Sequence, residues 1–544
     1  MDILSLLPAW LLSHGAALIV VLPLMAGSAM AVIPKERLAW GISFIVTLIC
    51  VIGSLGLYLQ VNNGDTLTYA MGGWAPPHGI GYVVDALSAP VLLLISAMAM
   101  ICLLYAWPSV SAEVEPKKRA PFYGAFLICF AGLLGMVVTG DAFNVFVFLE
   151  VSSITTYVLV AMGASRDRRA LRSAYNYLIM GSIGATFFVI GIGFMYMETG
   201  TLNMADMARI LDNLQGGSRV AQIGFAFIVI GLGLKLAMFP LHMWLPGAYS
   251  HSPSFVTVFL ASTATKAALY LVLRFAFTVF DLDFAYVTTL IGQLVLILAV
   301  AGMVFASLQA IFQTDVRQVL AYSSIAQVGY MLLGVGLLST AGVAAGYIHL
   351  INHAVIKGGL FLAVGAIWYR FGITRVDDFR GLSKVMPWTL GAFTFSGLSL
   401  IGVPFTAGFV SKLHLAVAAG EAGQGWAIGV IVFSSILALI YIGRILRIAY
   451  FGAVHEKNGE AIAKNEAPMM MLIPMWGLTL LSIFIGFKAD KIVSTAQNAA
   501  ELLVPSVASI DVDDTLLPAP LKIVPIPPLS PQIEIETYDK GEIE

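Results

Sequence analysis

The sequence predicts an all-α integral membrane protein of about fourteen transmembrane helices, on three observations. Of its 544 residues 59% are hydrophobic and only 11% charged, where soluble domains carry roughly 25% charged residues. The apolar residues gather into runs long enough to cross a bilayer core, which takes about 20 helical residues. Basic residues gather in alternate loops between those runs. A formal net charge of -2 says little about partners when charge is sorted by membrane side, and nucleic-acid binding has no basic footprint here. Cys50, Cys102 and Cys129 stand singly in apolar runs, without disulfide or metal-ligand spacing, and read as packing residues. The N-terminus lacks a basic leader and a small-residue cleavage site ahead of a polar region, so the first run reads as a retained helix.

In chain order the runs lie near 10–33, 38–60, 85–107, 121–140, 142–163, 174–197 and 220–245. Seven more lie near 253–279, 284–312, 318–338, 341–368, 386–417, 424–450 and 468–487. Between the second and third, residues 66–84 carry Gly72, Gly73, Pro76, Pro77 and Gly79, the composition of a turn-rich surface hairpin. The seventh run is interrupted at Gly231, Gly233 and Pro240 in GLGLKLAMFPLHMWLP, the twelfth at Gly402, Pro404 and Gly408 in GVPFTAGFVSK. Broken helices at corresponding places in two halves point to an inverted-repeat transporter with its site near the bilayer midplane. Beyond Pro505 the chain holds Pro518, Pro520, Pro525, Pro527, Pro528 and Pro531 among acidic residues, which predicts an extended tether lying on a partner.

Orientation follows from the rule that short basic loops stay cytoplasmic. Loops after odd-numbered runs hold Lys35 and Arg37, then Lys117, Lys118 and Arg119, then Arg166, Arg168, Arg169 and Arg172. Later odd loops add Arg317, then Arg370, Arg375, Arg380 and Lys384, then Lys457 and Lys464. Even loops hold Asp65, Asp141, Asp281, Asp283 and Glu421, with Arg209 and Arg219 the exceptions. The expectation is a multi-pass protein of the inner, plasma membrane with both termini facing outward.

The chemistry sits where charge is expensive. Glu150 lies in the fifth run, Lys235 in the seventh, Lys266 in the eighth, Lys357 in the eleventh and Lys412 in the twelfth. Against lipid these five would cost on the order of 12–17 kcal/mol together, so they must face one another or water. Four lysines against one glutamate cannot all be comfortably charged, because desolvation and mutual repulsion both favour neutral amines. That makes the row a candidate proton path, with Glu150 the counter-ion whose pairing with a lysine can be made and broken. His353 precedes Lys357 by four residues in HAVIKGGLF, on the same helix face, and reads as a relay group; His349, one turn earlier, is a weaker candidate. The same lysines repel Na⁺, so a metal-ion path belongs elsewhere.

At these residues the chain resembles the antiporter-like subunits shared by respiratory complex I, membrane-bound hydrogenases and Mrp-type cation/proton antiporters. The resemblance covers roughly residues 60–450. It rests on TGDAFNVFVFLE with Glu150, KLAMFPLHMWLPGAYSHSPS with Lys235, TKAALY with Lys266, HAVIKGGLF, and GVPFTAGFVSK with Lys412 as exit residue. It implies fourteen helices with inverted five-helix repeats over helices four to eight and nine to thirteen, here 121–279 and 284–450. Residues 1–107 would then form helices one to three with the outward hairpin, 468–503 helix fourteen with a short following segment, and 504–544 the tail. Lys412 stands where the M-type subunit of complex I has glutamate, and Gln327 where it has histidine, which argues against that subunit. MGGWAPPHGIGYVVDALSAP and TGTLNMADMA resemble the D-type subunit of Mrp-type antiporters most closely.

The resemblance implies a proton-translocating subunit of a multi-subunit Na⁺/proton antiporter, with protons and Na⁺ as its ions and other membrane subunits as partners. The alternatives it leaves are a proton-pumping subunit of a redox-driven complex and a membrane subunit of a bicarbonate-uptake complex. No cofactor or metal motif occurs in the chain, so redox chemistry would belong to partners.

Overall fold

The computed structural model describes residues 9–33, 35–61, 65–214, 218–281, 285–453, 456–457, 460–461 and 465–504. The proline-rich stretch from Pro505 onward, Asp283 and Lys464 lie outside the described residues. Among the described residues thirteen helices are long and apolar enough to cross a membrane. Numbered as spans they are α1 (Ser13–Val32), α2 (Glu36–Val61), α3 (Ser88–Glu113), α4 (Pro116–Val138), α5 (Ala142–Ser165), α6 (Arg169–Thr199), α7 (Arg219–Leu236) and α8 (Ser254–Val279). Then come α9 (Tyr286–Phe312), α10 (Val316–Gly336), α11 (Thr340–Phe371), α13 (Trp426–Phe451) and α14 (Met469–Phe487). The twelfth, α12, runs in two pieces too short to be counted singly, Pro387–Ile401 and Ala407–Glu421. The chain is therefore an all-α, multi-pass integral membrane protein.

Residues 66–84 do form a hairpin, an antiparallel pair β1 (Leu67–Ala70) and β2 (Gly81–Val84) with Leu67 opposite Val84. Two helices that do not span the membrane were not foreseen. Met204–Asn213 follows α6, capped by the Asn203 side chain. Asp490–Leu503 follows α14 and packs Ala496, Ala499, Ala500 and Leu503 inward, against α11 among others.

Two halves repeat the same backbone device. Asp141 caps the start of α5 by accepting from Asn144 N, and Asp315 caps α10 by accepting from Arg317 N and Gln318 N. Beside the first cap Ala142 N donates to Leu202 O at 2.8 Å and Met204 N to Gly140 O at 2.9 Å. Beside the second, Val316 N donates to Thr374 O and Val376 N to Thr314 O, both at 2.8 Å. From the cap of α5 to the cap of α10 the chain crosses five times, through α5, α6, α7, α8 and α9, an odd number, so the two bridges face opposite sides of the membrane. That is the signature of an inverted repeat.

Burial identifies the inner axis. An 18-residue window of α8 is 100% buried, and windows of α10 and α11 are 94% buried, whereas in α6 the figure is 33%. Helices α8, α10 and α11 thus meet at the seam of the repeats, while α6 turns apolar side chains to lipid, where exposed apolar surface carries no penalty.

Candidate functional site

Breaks in the spans place the charged groups. Helix α7 stops at Leu236 because Ala237 turns left-handed (φ 60°), and the chain resumes as a short helix, Trp244–His251. A left-handed alanine is strained, the kind of backbone that persists where the surroundings enforce it. In α12 the stop is Gly402 (φ 95°), followed by left-handed Phe405. At Gly408 a Cβ would lie 1.8 Å from the Ser399 carbonyl, so only glycine lets the second piece start so close to the first. Glycine and proline had marked these two breaks in the sequence. A third, at Thr263 (φ −126°, ψ −54°), carries no such mark and divides α8 just before Lys266.

Each lysine reaches a carbonyl or hydroxyl oxygen, several of them freed by these breaks. Lys235, in the last turn of α7 and 6% exposed, donates to Ser153 Oγ on α5. Lys266, fully buried, donates to the Ala261 carbonyl across the Thr263 break and to Thr265 Oγ1 at 3.2 Å. Lys357 donates to the Leu320 carbonyl at 2.8 Å and to Ser323 Oγ, both on α10. Lys412 lies over the Tyr330 ring at 4.8 Å. Its ammonium closes the end of the first piece of α12, donating to the Leu400 carbonyl at 3.0 Å, the Ile401 carbonyl at 2.8 Å and Ser435 Oγ at 3.0 Å. These are the terminal carbonyls a helix leaves orphaned, and a cation there also meets the negative end of the helix dipole.

The expected ion pair is not formed. Among the described residues no ion pair joins Glu150 to a lysine, and Glu150 Oε1 is buried without a hydrogen-bond partner. Glu150 and Lys235 are still close enough to feel each other's charge. The physical reason lies on α5: Ser153 is one turn from Glu150 and offers its oxygen to the lysine first.

The histidines connect the halves of the row. His353 is 1% exposed with both ring nitrogens lacking hydrogen-bond partners among the described residues. It lies within electrostatic reach of Lys266, Lys357 and His349, so it sits between the lysines of α8 and α11. His349, the weaker sequence candidate, is the better anchored of the two. Its ring nitrogens meet Gln327 Oε1 at 3.0 Å and Ser411 Oγ at 2.9 Å, which ties α11 to α10 and α12, and it lies within electrostatic reach of Lys412. Electrostatic reach thus joins Glu150 to Lys235, then Lys266 to His353, Lys357 and His349, and His349 to Lys412. An ammonium held by neutral oxygens has no fixed counter-charge to pin its proton, so such a row can hand protons on.

Sequence reasoning overlooked the hydroxyl partners Ser153, Ser323 and Ser435, since serines in apolar helices are common and only tertiary contacts single them out. It also overlooked charge. Arg274, in LYLVLRF of the eighth run, pairs with Asp85 at 2.7 Å with both side chains at most 8% exposed. Arg317, read as a loop residue, is 1% exposed and donates to the Ser252 carbonyl at 3.3 Å and Ser254 Oγ at 2.7 Å. On the side of the odd-numbered loops a polar cavity of about 610 Å³ opens between the repeats, lined by Arg166, His251, Asp315, Gln318, Trp368 and Arg375 among others. Burial, reinforced by Arg169, holds the His251 imidazole below its ordinary range. Among the described residues no group of three or more histidine, cysteine or acidic side chains could hold a metal ion.

Residues 139–438, which contain every one of these lysines, match the family described as NADH:quinone oxidoreductase/Mrp antiporter, transmembrane. The chain belongs to this family. It is 37% identical to the N-type subunit of the NADH-quinone oxidoreductase of Desulforudis audaxviator, over 89% of this chain and 97% of that one. It is 32% identical to the D-type subunit of the Na⁺/H⁺ antiporter of Alkalihalophilus pseudofirmus, over 90% and 97%. Its fold superposes on a chain of the Mrp complex from a Dietzia species with a TM-score of 0.83 at 28% identity, covering 91% of this chain and 98% of that one. Family membership, broken helices and buried lysines thus agree.

Proposed function

We propose that this chain is the proton-translocating subunit of a hetero-oligomeric Na⁺/proton antiporter, carrying protons along Glu150, Lys235, Lys266, His353, Lys357 and Lys412. The observation that carries the reading is the row itself. Its four lysines are buried at membrane depth, each holds neutral oxygens, and among them stand Glu150, its Oε1 buried, and His353, neither with a hydrogen-bond partner among the described residues. A structural rivet would pair its charges, as Asp85 and Arg274 do; groups that pass protons need acceptors that let go.

Similarity to the D-type subunit of a Na⁺/H⁺ antiporter and to an Mrp complex chain supports the antiporter and the presence of partner subunits. A second reading, a pump subunit of a redox-driven complex, is favoured by the 37% identity to the N-type subunit of an NADH-quinone oxidoreductase. In both readings the proton path is the same and the partners differ. The segregation of basic loops supports a plasma-membrane protein with both termini outward.

The test uses everted vesicles from cells carrying the complete complex, with a pre-formed pH gradient read by a fluorescent amine. Added Na⁺ should collapse the gradient, and Lys235→Ala or Lys266→Ala should abolish the response with the complex assembled. Gradient formation driven by a reductant, with no response to Na⁺ or K⁺, assigns the chain to the redox-driven class instead.

A further inference from the structure

Ser153 has a geometry that its neighbours explain only in part. It is fully buried on α5, and its own hydroxyl proton is committed to the Leu149 carbonyl at 2.6 Å. Its oxygen is thereby left as an acceptor, and Lys235 fills it. Glu150 stands three positions earlier on the same helix face, the spacing at which side chains are neighbours roughly 5–6 Å apart.

Two aromatic side chains stand beside Lys235. Trp244 Nε1 donates to the Leu234 carbonyl at 2.9 Å beside it. The Tyr177 ring, 6.0 Å from the ammonium, is stacked on Trp244 at 4.1 Å. The titratable groups around the ammonium are Glu150 and Tyr157 on α5, Cys129 on α4 and Tyr177 on α6. Glu150 is the one carboxylate of this set, and its buried Oε1 has no hydrogen-bond partner among the described residues.

Resting on the proton-path reading above, we infer that Ser153 is a latch for Lys235. Its hydroxyl holds the ammonium one turn away from Glu150, so the Glu150–Lys235 pair stands open here and closes when the lysine leaves the serine. Ser153 is a positioning residue. It exchanges no proton, because its own is tied to the Leu149 carbonyl. The second half repeats the device: Lys357 rests on Ser323, whose hydroxyl donates to the Leu320 carbonyl at 2.9 Å, and Lys412 on Ser435. An acceptor hydroxyl holds an ammonium more tightly than a neutral amine, so Ser153 competes with Glu150 for the protonated lysine and has little hold on the neutral one.

The test reads the open pair directly, independently of transport. Dicyclohexylcarbodiimide, an apolar reagent that adds to protonated carboxyls, should modify Glu150 in membranes holding the complete complex, and Glu150→Gln should remove that label in peptide mass spectra. Ser153→Ala lets Lys235 swing onto Glu150, which then ionises and is shielded, so labelling should slow by about tenfold, the population shift that loss of one charge-assisted hydrogen bond produces. Ser153→Cys, close in size but a weak acceptor, should slow it likewise, which separates the latch from a packing defect. Adding Lys235→Met to Ser153→Ala should restore the wild-type rate. Wild-type labelling rates in both serine variants, or slow labelling that Lys235→Met does not relieve, overturn the latch. Absence of proton transport in the unmodified complex would refute the proton-path reading while leaving these labelling results standing.

Discussion

Replacing Lys412 by alanine and by arginine separates two jobs that the structure gives to one side chain. The ammonium accounts for three hydrogen bonds, to the carbonyls of Leu400 and Ile401 and to Ser435 Oγ. Its stem runs past Gly402, where a Cβ would stand 2.9 Å from Lys412 Cδ, so glycine there leaves the stem its path. Lys412→Ala orphans one buried and one part-buried carbonyl at about 1–3 kcal/mol each, or about 2–6 kcal/mol in all, less whatever water recovers. The broken helix should therefore lose thermal stability along with function. Lys412→Arg keeps a cation at the helix end and should retain most of that stability. It cannot retain proton transfer, because deprotonating a guanidinium at neutral pH costs about 7 kcal/mol, a rate penalty of about 10⁵. The assay is proton flux in everted vesicles, with detergent-extracted thermal unfolding and subunit assembly measured in parallel. Alanine should fail in both measurements and arginine in flux alone. Near-normal flux in Lys412→Arg would refute the relay and leave Lys412 a helix cap.

Four further expectations follow from the same contacts. Glu150→Gln keeps shape and removes the counter-charge of the row, so cation-driven proton movement should vanish with the complex intact; normal transport would make Glu150 structural. Cysteines at Ser165 and Ser530 should label from opposite faces with an impermeant thiol reagent, and same-side labelling ends the orientation argument. Arg274→Met strands the Asp85 carboxylate, which also holds Ser88 N at 2.9 Å, so unfolding in detergent should become easier by about 3–5 kcal/mol; an unchanged midpoint means water reaches that pair. The His251 imidazole, held low, stays neutral in the fold while the unfolded chain takes up protons below about pH 6.5. Stability contributed this way is present above that pH and lost as pH falls below it, so His251→Gln should flatten the acid limb of thermal stability, and superimposable curves for the two proteins would exclude the effect.

How much was legible in the chain depends on whether one-dimensional pattern carries the information. Apolar runs of bilayer length are set by composition alone, and all fourteen correspond to spans of the structure, α12 in two pieces. The breaks in α7 and α12 were legible because glycine and proline are punctuation visible in sequence. The break in α8 was not. Thr263 carries neither residue type, and its departure from helix is tied to a lysine three residues on that reaches the freed Ala261 carbonyl. Asp490–Leu503 shows its inward residues at helical spacing, yet a helix that short is fixed by docking on its neighbours, which no local pattern states.

For the site, the sequence by itself determined which residues carry charge into the membrane, because a lysine in a run of apolar residues is conspicuous at any position. Arg274 was as conspicuous and was missed, and its buried partner Asp85 lies 189 residues away. What only the tertiary structure decided is whom each charge faces. Sequence logic paired Glu150 with a lysine because opposite charges attract. The fold instead set Ser153 within reach of Lys235, offering an uncharged oxygen at the distance the lysine stem spans and leaving the carboxylate one turn aside. Coulomb attraction in a low-dielectric interior is strong but acts through position, and position comes from how α5, α7 and the Trp244 helix pack, which is a property of the folded chain and not of any segment of it.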